Sequence, residues 1–174
     1  MFMNTFVIAI FTCIISTIFV LSVAYSMSRM RFKMRKPFMN IAMIIGLFPS
    51  FMSMIAVYYI LRALNLADGA MIRVALIIVF SAGSGAGFYV AKGFFDTISK
   101  SLDEAAIIDG ATRWNVFTKI TVPLSKPIIV YTILTSFMGP WVDFIFGKVI
   151  CRADAQYYTV CIGLWKMLEK EYID

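Results

Sequence analysis

The sequence predicts an all-α fold, a polytopic bundle of transmembrane helices, and three observations carry that prediction. Hydrophobic residues make up 61% of the chain, well above the roughly 45–50% of soluble domains. Charged residues make up only 15%, against about 25% in soluble domains, and they cluster instead of spreading. Four long apolar runs then alternate with those clusters, without the period-2 alternation of barrel strands. Too little polar surface remains to coat a water-soluble globule, so the 174 residues read as a single membrane domain.

The runs are taken in chain order. Residues 2–28 carry no charge. Residues 38–61 are also uncharged; as a helix they extend about 36 Å, enough to cross a hydrocarbon core of about 30 Å. Pro49 interrupts this second run and frees the carbonyl four residues back. It reads equally as a hinge beside a pathway or as a passive kink. Residues 74–91 lie near the lower length limit of about 17 for a span. Within them Gly83 and Gly87 are four apart, a spacing that suits close helix packing better than a nucleotide loop. Residues 127–146 form the fourth run, whose only charge is Asp143. Helix is the expected state of all four, because backbone groups in lipid must be satisfied within the segment.

Lysine and arginine orient the bundle. Arg29, Arg31, Lys33, Arg35 and Lys36 follow the first run, and Lys92, Lys100, Arg113, Lys119 and Lys126 follow the third. The other connections carry Arg62 and Arg73, then Lys148, Arg152, Lys166 and Lys170. The positive-inside bias puts the first and third connections in the cytoplasm, including a long loop over 93–126, and leaves 147–174 outside. The net charge of +6 follows from this topology and calls for no nucleic acid. A basic run beside a span reads as an orientation signal ahead of a specific anionic-lipid site. Cys13, Cys151 and Cys161 form no metal or redox spacing, there is no histidine, and the cysteines read as packing residues. The basic residues follow the first run, the reverse of a signal peptide, and 147–174 holds no final span. The sequence is therefore expected to be the middle of a longer protein.

The loop is patterned beyond what a connector needs. Ser101 and Glu104 form a capping-box pair, and Gly110 suits the left-handed position that stops a helix. Thr112 caps a second short helix on which Trp114 and Phe117 share a face, and Pro123 limits its continuation. The result is helix, glycine turn, helix. Ala105, Ala106 and Ala111 keep its profile low, so that another backbone can approach. Residues alone leave two readings level: a docking knob, or an amphipathic connector on the bilayer surface with Glu104 only a cap.

Glu104, Ala105, Ala106, then Gly110, Ile120 and Pro123 at their present spacing resemble the EAA signature of permease subunits in binding-protein-dependent ABC importers. Val122 stands where that family usually has leucine, and Val142 where it more often has asparagine. The phrasing over 108–111, 117 and 123–127 is similar to the carbohydrate branch, in particular the smaller permease of maltose-type systems. Residues 24–32, 141–144 and 158–164 agree with it, so the resemblance covers nearly the whole chain. It implies a further helix before and after this sequence, and a multi-pass place in the bacterial cytoplasmic (inner) membrane among its lipids. It implies partners as well: cytoplasmic ABC ATPase subunits, a second permease subunit and an extracytoplasmic solute-binding protein. Glu104, Ala105, Ala106, Gly110, Ala111, Ile120 and Pro123 would couple the chain to the ATPase.

No enzyme activity and no cofactor are implied, since ATP chemistry would belong to the partner. Gly147-Lys148 lacks the earlier glycine and the hydroxyl residue of a phosphate-binding loop. Pro49, Trp141 and Asp143 are the candidates for pathway or hinge. Asp143 lies about 24 Å along its helix from Pro127, near the outer interface. Tyr58, Tyr59, Tyr89, Trp141 and Phe144 fit an interfacial belt better than a sugar-stacking site. The rival class is a channel or structural membrane protein with no ATPase partner. A membrane phosphotransferase is disfavoured because its metal-binding aspartate would stand where Ala106 is.

Overall fold

The computed structural model describes residues 1–47, 50–84, 87–152 and 154–171. Its elements are α1 (Phe2–Arg29), α2 (Arg35–Gly46), α3 (Ser50–Ala63), α4 (Met71–Gly83), α5 (Gly87–Thr97), α6 (Lys100–Ile108), α7 (Arg113–Val116), α8 (Val122–Leu124), α9 (Lys126–Val142), α10 (Ile145–Cys151) and α11 (Val160–Glu171). A π-helical turn, Phe117–Thr121, joins α7 to α8, and a 3-10 turn, Ala155–Tyr157, precedes α11. No strand occurs among the described residues, as the composition predicts.

α1 is the axis of the bundle and packs against α9, α5 and α4. Its buried face is a ladder of small and hydroxyl residues: Thr5, Ala9, Thr12, Ser16, Ala24 and Ser28. α9 answers with Ile128, Thr132, Ser136 and Pro140, buried at four-residue intervals. Lipid tails are as apolar as leucine, so membrane helices associate through close packing, which small residues permit. Large side chains at each end close the two cores. Near the loop end, Val20, Leu21, Ala24 and Met27 pack with Phe88, Ala91, Phe95 and Ile128. At the opposite end, Ile8 packs with Ile72, Leu76, Ile150, Tyr157 and Ile162. Asn4 Nδ2 donates to the Gln156 carbonyl at 2.6 Å, and the Val160 amide donates to Thr5 Oγ1 at 2.9 Å, so α1 caps α11 from a distance.

Several expected boundaries shift. The run 38–61 contains two helices, α2 and α3, and Pro49 lies outside the described residues. The run 74–91 corresponds to α4 and α5, which pass a length-and-hydropathy test for one span only as a pair inclined by 43°. A Cβ on Gly83 would meet nothing within 4 Å, and one on Gly87 would sit 3.9 Å from Val20, so neither marks an unusually close helix crossing. The run 127–146 ends as a helix at Val142. Pro140 interrupts its ladder, and Asp143, extended at ψ 125°, accepts the Gly147 amide at 2.9 Å and opens α10. Among the described residues, α1 alone is long and apolar enough to cross a membrane unaided. The three cysteines are free. Cys151 is buried and donates to the Tyr157 carbonyl; burial pushes its thiol up to about 12, which keeps it protonated and unreactive.

Ala24 is fully buried among Phe88, Phe95 and Ile128. Ala24→Leu should therefore destabilise the detergent-solubilised chain by about 1–3 kcal/mol through overpacking. Ile18→Leu, at a position 63% exposed, should leave thermal unfolding unchanged.

Candidate functional site

The patterned loop forms one structured surface. α6 begins at Lys100, where Ser99 Oγ accepts the Ser101 amide at 3.3 Å. The capping serine is therefore Ser99 and not Ser101. With the helix starting there, Ser101 lies inside the first turn, and Glu104 is too far along to return a bond. Glu104 is exposed and makes no hydrogen bond or ion pair among the described residues. The other end matches expectation. The Ala111 amide donates to the Ala106 carbonyl at 2.9 Å, the Gly110 amide to that of Ile107 at 3.0 Å, and Gly110 has φ +87°. This pair of bonds is a Schellman stop, in which Gly110 takes the left-handed position without Cβ strain.

Thr112 Oγ1 then accepts the Asn115 amide at 3.3 Å and caps α7. Trp114 and Phe117 share a face, with ring centroids 5.8 Å apart, and Phe117 rests on Tyr25 of α1 at 4.7 Å. Pro123 does not end the helical path. Val122 donates to the Phe117 carbonyl in π register, which widens the turn just ahead of the proline ring, and the chain continues through α8. The rod from Arg113 to Leu124 meets α9 at 81°, nearly a right angle.

Arg29, the last residue of α1, fixes this surface to the bundle. Its Nε lies 3.1 Å from Asp103 Oδ2 of α6. Its Nη2 donates to the Phe95 carbonyl at 3.1 Å and to the Ile98 carbonyl at 2.9 Å, at the end of α5. Helix-terminal carbonyls lack intrahelical donors, and a planar guanidinium serves two of them together with a carboxylate. The side chains of Arg29 and Asp103 are only 5% and 13% exposed.

Five of the predicted docking residues lie together on α6 and its glycine turn, and two lie further along the rod. Glu104, Ala105 and Gly110 are exposed, and Ala106 and Ala111 are half-buried beside them. Ile120 is half-buried, and Pro123 is exposed along the rod. The sequence reading assigned no docking role to Ile107, Ile108 or Trp114, which are 49%, 85% and 69% exposed. An isoleucine pair in the middle of a polar loop was the available signal. The pairing of Arg29 with Asp103 had no such signal, because no spacing rule links residues so far apart.

The other candidates lie elsewhere. A cavity of about 890 Å³ opens between α1, α3, α4 and α9, with Thr12, Thr132, Thr135, Ser136 and Asp143 on its wall. Trp141 is not on that wall. It packs on Phe2 at 5.2 Å and Phe137 at 6.1 Å, and its indole N–H has no partner among the described residues. Of the belt residues, Tyr58 lies under Arg152, and Phe144 packs on Trp165 at 5.3 Å with Lys148 over both rings.

Helices packed around the small-residue face of α1, with a capped and glycine-stopped helical hairpin at one end, agree with the resemblance to permease subunits. Residues 16–169 match the family described as binding-protein-dependent transport system inner membrane component, and the chain belongs to that family. It is 32% identical over 168 residues to the galactooligosaccharides transport system permease protein GanQ of Bacillus subtilis, covering 96% of this chain and 58% of that protein. It is 31% identical over 163 residues to the maltodextrin transport system permease protein MalD of Streptococcus pneumoniae, covering 94% and 57%. Its fold is similar to a chain of a bacterial ABC transporter involved in the import of the acidic polysaccharide alginate, with a TM-score of 0.80 and 27% identity. That match covers 92% of this chain and 55% of the other. The chain therefore spans a little over half the length of its relatives, which are transport permeases and not enzymes.

If Arg29 holds α6 as described, Arg29→Leu should destabilise by about 2–4 kcal/mol, because Asp103, only 13% exposed, is left unpaired. Hydrogen exchange over 100–109 should rise with it. Adding Asp103→Leu should recover part of the loss, giving a double-mutant interaction energy above about 1 kcal/mol. Strict additivity would show that the two side chains do not act as a pair.

Proposed function

We propose that this chain is a membrane-spanning subunit of an ABC importer for an oligosaccharide, coupled through α6 and α7 to a cytoplasmic ATPase. The observation that carries the reading is the form of the 99–124 segment. Both of its helices are capped, its turn is fixed by a Schellman stop, and it still presents Ile107, Ile108 and Trp114 to solvent. A connector lying free on its surroundings needs no such rigidity. A knob that must enter a cleft on another protein does, since rigid presentation lowers the ordering cost of docking.

Glu104, exposed and unpaired, would meet a basic group on the ATPase. Ala105 and Gly110 would let the ATPase backbone approach. Free energy from ATP would enter as differential contact between two packing states of the helices, and none of the chemistry would be carried by this chain. The carbohydrate assignment rests on the relatives named above. A second permease subunit and a solute-binding protein would complete the assembly, and Pro49, Trp141 and Asp143 remain the proposed pathway or hinge positions.

The test exploits Gly110, whose Cβ would meet no neighbour but whose φ of +87° disfavours L side chains. Asparagine tolerates positive φ far better than a β-branched residue does. In the assembled transporter, Gly110→Val should lower solute-stimulated ATP hydrolysis and uptake by at least about tenfold, while the protein still reaches the membrane. Gly110→Asn should keep most of the activity. Undiminished transport by Gly110→Val would overturn the docking assignment, and downhill flux independent of ATP would assign the chain to the channel class.

A further inference from the structure

A second cavity, of about 560 Å³, lies between the end of α1, the start of α2 and the inner side of α6 and α7. Five cations line it: Arg29, Arg31, Arg35, Lys100 and Arg113. Two carboxylates, Asp103 and Glu104, share the wall, and Asp103 is already engaged by Arg29. We propose that this cavity binds a phosphate group, either the headgroup of an anionic phospholipid or a free phosphate ion.

Three observations support a built site over a chance gathering of charge. Arg29 is 5% exposed through its side chain, and its Nη1 is buried with no hydrogen-bond partner among the described residues. A guanidinium held in place by its other nitrogens is a pre-positioned donor for an anion. α2, 12 residues long, begins at Arg35 with neither a side-chain cap nor an acidic residue in its first turn, so its positive dipole end is uncompensated on the same wall. The selection among neighbouring cations is also specific. Arg31 and Arg35 line the cavity, whereas Lys33 and Lys36 of the same basic run do not. A general orientation signal has no need to sort its arginines from its lysines. Arginine offers the two-pronged geometry that phosphate oxygens accept.

A phosphate here would bridge α1 and α2 to the inner face of α6. The wall shares Glu104 and Ile107 with the docking reading, so the test is confined to Arg31 and Arg35, which that reading does not use. The experiment uses the full chain purified in detergent, with phosphatidylglycerol, phosphatidylcholine and inorganic phosphate as probes in separate arms. Native mass spectrometry reads lipid retention, and thermal shift reads phosphate. One phosphatidylglycerol should be retained at least about tenfold more tightly than phosphatidylcholine, in line with charge-assisted hydrogen bonds. Arg31→Ala with Arg35→Ala should erase that preference, and Lys33→Ala with Lys36→Ala, which removes the same charge, should leave it within about threefold. Stabilisation by inorganic phosphate, lost in the arginine pair and kept in the lysine pair, with no preferred lipid would assign the site to the free ion. Equal loss in the two variant pairs, or no preference of the unaltered chain for either phosphate probe over phosphatidylcholine, would overturn the proposal.

Discussion

The surface at the loop end depends on a single guanidinium. α6 has no buried residue of its own, so hydrophobic burial, the usual source of helix docking energy, contributes little to its position. What holds it is the Arg29–Asp103 pair at one end and the Gly110 turn at the other. Arg29 reaches α6 from the last turn of the longest helix while also binding the Phe95 and Ile98 carbonyls. The Phe95 carbonyl also accepts the Ile98 amide at 3.2 Å, whereas for the Ile98 carbonyl Arg29 is the donor where α5 ends. The same residue thus closes one helix, terminates another and orients a third. An ion pair of this kind fixes geometry more than it adds stability, since desolvation offsets much of its attraction. Geometry is what a docking surface needs.

The bundle behind it follows a different rule. Along α1 the buried positions are mostly alanine and hydroxyl side chains, and Ile8 on one side and Val20, Leu21 and Met27 on the other supply bulk. Between the ends, the hydroxyls of Thr12 and Ser16 are buried without partners among the described residues. The larger cavity opens beside Thr12 and runs to Thr132 and Ser136 on α9. Two tight ends and a polar, loosely filled middle suit helices that have to change their packing, because small contacts lose little when they slide.

Legibility in the sequence tracked the range of the interaction. Helical class, the Gly110 stop and the Thr112 cap were readable, because each depends on residues within a few positions of one another. Ser99 was overlooked in favour of Ser101, since two serines two residues apart offer equivalent capping patterns, and only the helix start decides between them. Pro123 was misjudged because a π turn is not encoded by any residue type; it appears where the backbone relieves a clash. The break at Asp143 was likewise hidden, although Pro140 and a carboxylate three residues later were both in view. Arg29 was read as an orientation charge and as one residue of the 24–32 resemblance, with no structural role. Its role comes from tertiary contacts with α5 and α6, and a single sequence carries no record of those.

Two separate routes connect the loop to the same pair of helices. One is non-covalent, through Asp103 and Arg29 into α1. The other is covalent, through the Arg113–Leu124 rod and Ser125 into α9 at nearly a right angle. The Tyr25–Phe117 contact joins the two routes midway. Because α1 and α9 pack along their whole small-residue faces, a displacement of the loop cannot move one helix without loading the other. A lone covalent hinge would let the loop swing freely, and a lone ion pair would let it detach. With both, tilting the hairpin shears α1 against α9 where the larger cavity borders them. In the proposed transporter, that shear would be the step by which work done on the loop reaches the cavity.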